Sequence, residues 1–170
     1  MEASIKITAD INAKNCDTAR IGVLSDTHGF LREEVVTLFQ GVDQIIHAGD
    51  VGSPDILDAL EAVAPVVAVR GNMDRDDRPG KLPKTEMVRI GSGFIYVLHH
   101  LYDLDLVPEA ADIFAVVSGH THKPSVTEKN GVLYLNPGGA GHRRFNYPIT
   151  VAVLVVGKNE MIPRIIELDV

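Results

Sequence analysis

Five apolar runs in this 170-residue chain end on residues able to hold a metal ion. Asp26 and His28 follow the run 20–24, Asp50 follows 44–48, and Asn72 follows 66–69. His99 follows 93–98, and His120 and His122 follow 113–117. In an extended backbone, side chains at i and i+2 point to the same side, so Asp26 and His28 could grip one cation, and His120 with His122 repeats that spacing. A single Asp-x-His is an ordinary polar turn. Its return at strand end after strand end is not ordinary, because the tip of a buried strand has no structural need for an acid or an imidazole. Carboxylate, amide oxygen and imidazole together suit divalent first-row ions rather than calcium or a thiolate-bound zinc. Seven donors exceed what one ion needs and fit two ions that share a carboxylate. Two-metal sites hold their ions roughly 3.5–4 Å apart and clamp an in-line displacement at phosphorus. A water shared between them would be acid enough to serve as a hydroxide nucleophile at neutral pH.

The elements that must position these residues read as an α/β chain. Runs 20–25, 44–48 and 66–69 are buried strands. They alternate with a helix over about 31–40, stopped by Gly41, and a second from Ser53-Pro54-Asp55 to about 63. Strand–helix–strand alternation implies right-handed crossovers and a parallel sheet, whose carboxyl-end loops line up where ligands bind. The stretch 75–84 reads as an exposed excursion. Strands are expected at 85–90 and 93–98 as a hairpin, at 113–117, at 125–128 and 132–135 around Asn130-Gly131, and at 150–156 and 162–168. The segment 101–111 is expected to hold one short helix. Residues 4–11 read as a short strand at the head of an N-terminal extension, 1–19, ahead of a single domain over 20–170.

Composition narrows the class. The net charge of −7 offers no basic face for nucleic acid, and suits a site that concentrates carboxylates around cations. No apolar run reaches the ~18 residues that span a bilayer. The start Met1-Glu2-Ala3-Ser4 is not that of a secretory signal. Cys16 is the only cysteine, so no intrachain disulfide forms and a reducing cytoplasm is the simplest home.

Taken in order, Asp26-x-His28, Gly49-Asp50, Gly71-Asn72, His99 and Gly119-His120-x-His122 resemble the motifs of the calcineurin-like metallophosphoesterase superfamily. The Gly-Asn-Met-Asp block and Asn136-Pro137-Gly138 look most like its compact bacterial and archaeal phosphodiesterase branch. The resemblance implies a four-layered α/β sandwich, two facing mixed sheets flanked by helices. It implies a metal-dependent phosphodiesterase in which Asp26, His28 and His122 hold one ion, Asn72, His99 and His120 hold a second, and Asp50 bridges them. Asn72 would also touch the substrate phosphate, which makes Asp50 and Asn72 the implied catalytic residues. The implied cofactors are two divalent ions, Mn²⁺ first, with Ni²⁺, Zn²⁺, Fe²⁺ or Mg²⁺ as alternatives. The implied partners are a small phosphoester substrate and a second copy in a homodimer. Two departures stand out. Met73 replaces a histidine that many relatives use on the leaving group or phosphate. The usual His-Gly-His is here Leu98-His99-His100, where counting from the strand selects His99 and counting back from Leu101-Tyr102 points elsewhere; His99 is preferred.

Other polar residues carry weaker signals. His47, inside a strand, is expected to be packed or to support a liganding carboxylate. Asp74 either orients the Asn72 loop or caps a turn. His142, Arg143 and Arg144 form a basic cluster that either meets a substrate phosphate or lies on a solvated turn. Asp103 and Asp105 read as surface residues, and Cys16 has no assigned role. The rival functions are a non-catalytic protein-binding scaffold on the same fold, as in a retromer subunit that resembles this family, and a phosphomonoesterase or nucleotide-specific phosphatase.

Overall fold

Alternating apolar residues let each central strand face two hydrophobic layers at once. A computed structural model of the chain describes residues 9–11, 18–158 and 160–170. In chain order the strands are β1 (Ala9–Ile11), β2 (Ala19–Leu24), β3 (Gln44–His47), β4 (Val66–Ala68), β5 (Thr85–Ile90) and β6 (Gly93–Leu98). They continue with β7 (Ile113–Val117), β8 (Ser125–Lys129), β9 (Val132–Asn136), β10 (Thr150–Val156) and β11 (Met161–Glu167). The helices are α1 (Glu33–Leu38), α2 (Pro54–Glu61) and α3 (Asp77–Gly80), with 3₁₀ turns at Leu101–Asp103 and Pro108–Ala110.

One mixed sheet has the order β11-β10-β2-β3-β4, the other β1-β5-β6-β7-β9-β8. The run β2, β3, β4 is parallel, as is β6, β7, β9. Ile21 and Val23 of β2, Ile46 of β3, and Ala152 and Leu154 of β10 meet Val88, Ile95, Val97, Ala115 and Val117 between the sheets. The alternate residues Leu24, Ile45, Val151 and Val153 turn outward against Val35 and Phe39 near α1 and Ile56, Leu57 and Leu60 of α2. Tyr96, Leu98 and Val116 cover the outer face of the second sheet with Leu104, Leu106 and Ala111. Strands covered on both faces explain the near-continuous apolar runs in the sequence. The result is the two-sheet sandwich that the motifs imply.

Three differences from expectation are local. The first helix is shorter than 31–40 because Arg32 occupies its N-cap without a side-chain hydrogen bond and Phe39 already closes it. Within the polar stretch 75–84, α3 forms and Arg78 pairs with Asp58 and Glu61 beside α2. The segment 101–111 forms two 3₁₀ turns instead of one helix, the second opened by Pro108. The N-terminal strand is present at Ala9–Ile11, paired parallel with β5 at a sheet edge. The rest of 1–17, including Cys16, lies outside the described residues. No helix among the described residues is long and apolar enough to cross a membrane.

Candidate metal centre

The parallel strands of both sheets send their carboxyl-terminal loops to one place. Backbone hydrogen bonds tie those loops together: Asp26 N–H donates to Gly49 O (3.0 Å), His28 N–H to Asp50 O (2.9 Å), and Gly119 N–H to His99 O (2.9 Å). The chain turns sharply as each strand ends. Asp26, His28, Asp50, His120 and His122 all have positive φ, between 48° and 69°. Few side chains accept this left-handed conformation; Asp, Asn and His are enriched among those that do. Strained backbone of this kind concentrates at functional sites. At two neighbouring positions only glycine fits. A Cβ on Gly71 would lie 2.0 Å from Asp50 Oδ1, and one on Gly119 would lie 1.9 Å from Ser25 Oγ and 2.8 Å from Asp26 Oδ2.

All seven residues singled out in the sequence meet here. His122 Nε2 lies 3.3 Å from Asp26 Oδ1, and His28 Nε2 is 3.8 Å from both Asp26 Oδ1 and Asp50 Oδ2. On the other side, His99 Nε2 lies 3.3 Å from Asp50 Oδ2 and 3.1 Å from Asn72 Oδ1. His120 Nδ1 lies 3.0 Å from the same Asn72 oxygen. Donor atoms of Asp26, His28 and His122, and separately of Asp26, Asp50 and His99, fall within 4.8 Å of one another. Asp50 therefore stands between the two halves. Asp26, Asp50, His99 and His122 are buried, whereas Asn72 is exposed, so the cluster opens to solvent on the Asn72 side. His100 belongs to neither donor group; its ring lies 4.2 Å from that of His120 and 5.2 Å from that of Tyr102.

Asp26 Oδ1 is buried and accepts no hydrogen bond. Buried carboxylates are paired or coordinate metals, because an unpartnered buried charge is costly. Two carboxylates, four imidazoles and an amide oxygen fit a divalent transition metal. Without a cation, burial pushes the Asp26 carboxyl up to about 6. Burial is the largest influence on Asp50 and acts against its charge, but the hydrogen bond and charge of His99, the Met73 N–H and the charge of His28 together outweigh it and leave the carboxyl below its ordinary value. Burial likewise acts against charge on His99, but its bond to Asp50, the charges of Asp26 and Asp50 and its contact with Ala48 O together raise that imidazole. Burial holds His122 down to about 4, and it lowers His28 and His120 as well. Neutral imidazoles are the form that binds metal.

Three further residues hold this geometry. The Asp74 carboxylate accepts the N–H groups of Val51 (3.1 Å), Gly52 (2.9 Å) and Gly71 (3.0 Å) and so joins the Asp50 and Asn72 loops. Of the two roles open to it from sequence, loop orientation is the one observed. Asn136, quoted above only as part of a motif, donates from Nδ2 to Gly119 O (2.8 Å) and Thr121 Oγ1 (3.1 Å), fixing the loop of His120 and His122. His47 is fully buried. Gly49 N–H donates to its Nδ1 (3.2 Å), so Nε2 carries the proton and donates to Thr27 Oγ1 (2.9 Å), and that hydroxyl donates to Val51 O (2.9 Å). His47 thus acts through Thr27, between Asp26 and His28. Of the basic cluster, the charge of Arg144 reaches His28 and His122, after burial and nearer ionisable groups in effect.

Comparison with known proteins identifies the family. The model of the calcineurin-like phosphoesterase superfamily domain matches residues 20–159. A probable metallophosphoesterase of Methanothermobacter thermautotrophicus is 36% identical over 149 residues, covering 81% of this chain and 87% of the relative. A phosphodiesterase of Methanocaldococcus jannaschii is 28% identical over 159 residues, covering 83% of this chain and 95% of its own length. Among solved structures, vacuolar protein sorting 29 from Cryptosporidium parvum superposes with a TM-score of 0.77 at 23% identity, over 89% of this chain and 92% of that one, a likeness of fold. From its motifs, its sandwich and the residues gathered at its strand ends, the chain belongs to the calcineurin-like phosphoesterase superfamily, a family of metal-dependent phosphoester hydrolases.

Proposed function

We propose that the chain is a dinuclear-metal phosphodiesterase that cleaves a small phosphate ester, its catalytic domain spanning 20–170. The observation that carries this reading is the orphaned, buried Asp26 Oδ1 facing the imidazoles of His28 and His122 beside a second carboxylate, Asp50. Asp26, His28 and His122 would hold one cation, Asn72, His99 and His120 the other, and Asp50 both. Bound there, a pair of divalent cations supplies Lewis acidity, acidifying a water and neutralising charge on phosphoryl oxygens. The protein's part is positioning. His99 is oriented by its Nδ1 contact with Ala48 O (2.7 Å), and Asp50 Oδ1 accepts the Met73 N–H (2.8 Å), which leaves Oδ2 for the centre. Asn72, exposed at the mouth, is placed to donate from its amide to a phosphate oxygen. Met73 has no proton to give, so the reading favours esters with good leaving groups. Manganese is the preferred cation and the cytoplasm the preferred compartment. Pairing of two copies is part of the same proposal.

The test is hydrolysis of bis-p-nitrophenyl phosphate against mono-p-nitrophenyl phosphate with manganese or nickel. A faster diester supports the reading, and a faster monoester assigns a phosphomonoesterase. The likeness to a vacuolar sorting protein favours one other reading, a protein-binding scaffold. Protein that hydrolyses neither ester with any metal would support that reading instead.

A further inference from the structure

Several exposed apolar side chains neighbour the candidate ligands in sequence or in space. Of the ten large apolar residues exposed among the described residues, Phe30 comes two residues after His28, Met73 directly follows Asn72, and Phe145 contacts the His122 ring. Phe30 comes after His28-Gly29 and stacks on His142 at 4.8 Å, with the Arg32 guanidinium 5.0 Å from its ring. Phe145 is the most telling of them. It is 72% exposed, yet its ring sits edge-on to His122 with centroids 6.0 Å apart and 6.4 Å from Tyr147. Its φ is +54°, and Asn146 follows at +60°. A bulky side chain in the left-handed region is a real outlier, and burial does not repay it here because the ring faces water.

We propose that Phe145 is a specificity-determining platform that stacks a planar aromatic group of the phosphoester. This deepens the phosphodiesterase reading and rests on it for the position of the phosphate. The substrate class is therefore a phosphate ester bearing an aryl ring or a nucleobase. Stacking of a flat ring on an aromatic side chain is tolerant of ring identity, which suits an exposed platform better than a closed pocket.

The test measures binding of phosphonate pairs, which carry no ester bond to cleave, to the manganese-loaded protein by calorimetry: phenylphosphonate against methylphosphonate, and the 5′-methylenephosphonate analogue of adenosine monophosphate against that of ribose 5-phosphate. The wild type should prefer the aromatic member of at least one pair by roughly five-fold or more. Preference in the first pair alone assigns an aryl ester, and preference in the second assigns a nucleobase. Phe145→Leu should abolish the preference and Phe145→Tyr should restore it, with the non-aromatic member bound equally by all three proteins. No preference in either pair, or a preference that survives Phe145→Leu, overturns the platform. Hydrolysis of bis-p-nitrophenyl phosphate is followed in the same samples. Turnover without aromatic preference sinks the platform and leaves the phosphodiesterase reading standing; preference without turnover does the reverse.

Discussion

His122 Nε2 and Asp26 Oδ1 lie 3.3 Å apart, brought from strand ends in opposite sheets, and the carboxylate oxygen accepts no hydrogen bond. The fold thus keeps a buried acid short of partners, and its energetics without metal should show that. The folded Asp26 has a pKa of about 6 against 3.8 for the ordinary carboxyl. A carboxyl raised on folding favours the fold below about pH 4, and that contribution is lost as pH rises through about 6. Metal-free protein should lose up to roughly 3 kcal/mol from this group between pH 4 and 7. Asp26→Ala should remove the loss, empty the cation site and leave the fold standing, as followed by urea unfolding in chelator and by metal content. Loss of the fold, or unchanged metal content, would contradict it.

His47 works in the opposite direction. Burial keeps its imidazole neutral, with a pKa down at about 3. The unfolded chain takes up that proton near 6.5, so stability is intact above 6.5 and is lost as pH falls toward 3. Denaturation titrations should find His47→Gln less acid-sensitive than wild type, by roughly 1.4 kcal/mol per pH unit below 6.5. Parallel slopes would mean that His47 does not titrate on unfolding.

Asp74→Ala should cost more than a surface change. It strips the partner from the N–H groups of Val51, Gly52 and Gly71, the first and last of which are buried. Each buried donor left unsatisfied costs about 1–3 kcal/mol, so the two together should cost roughly 2–6 kcal/mol in urea unfolding. Manganese affinity should fall as well, because the Asp50 and Asn72 loops lose their tie. A variant as stable as wild type would refute the role.

The sequence made the strand ends legible because apolar runs and the Asp, Asn and His that close them are local signals. The seven candidates could be named from one-dimensional pattern alone, and the geometry brings all seven together. Asp74 and Asn136 were harder. Most of their partners, Val51 and Gly52 for Asp74 and Gly119 and Thr121 for Asn136, belong to other loops, so a single Asp or Asn in a turn carries no mark of what it will tie. His47 looked packed because it sits within an apolar strand, but its hydrogen bond to Thr27 needs two adjacent strands in register. The short 3₁₀ turns of 101–111 escaped for a different reason. Their chain lies on the outer sheet face, where Leu104 and Leu106 pack without helical periodicity.

Gly119→Ala tests how closely the loops approach. The added methyl would collide with Ser25 Oγ and Asp26 Oδ2, so the His120-His122 loop must shift. Metal affinity should fall by on the order of ten- to a hundred-fold, comparable to the loss of a residue that orients a ligand. Undiminished affinity in an equilibrium competition with a chelating dye would show that the loop tolerates a Cβ.

The most direct test of the dinuclear centre is manganese stoichiometry by mass spectrometry, after loading and gel filtration, in wild type and Asp50→Ala. The account expects about two ions per wild-type chain and a clear deficit in the variant, because the carboxylate shared by both cations is gone. Equal manganese in the two proteins, or none retained by wild type, would contradict it.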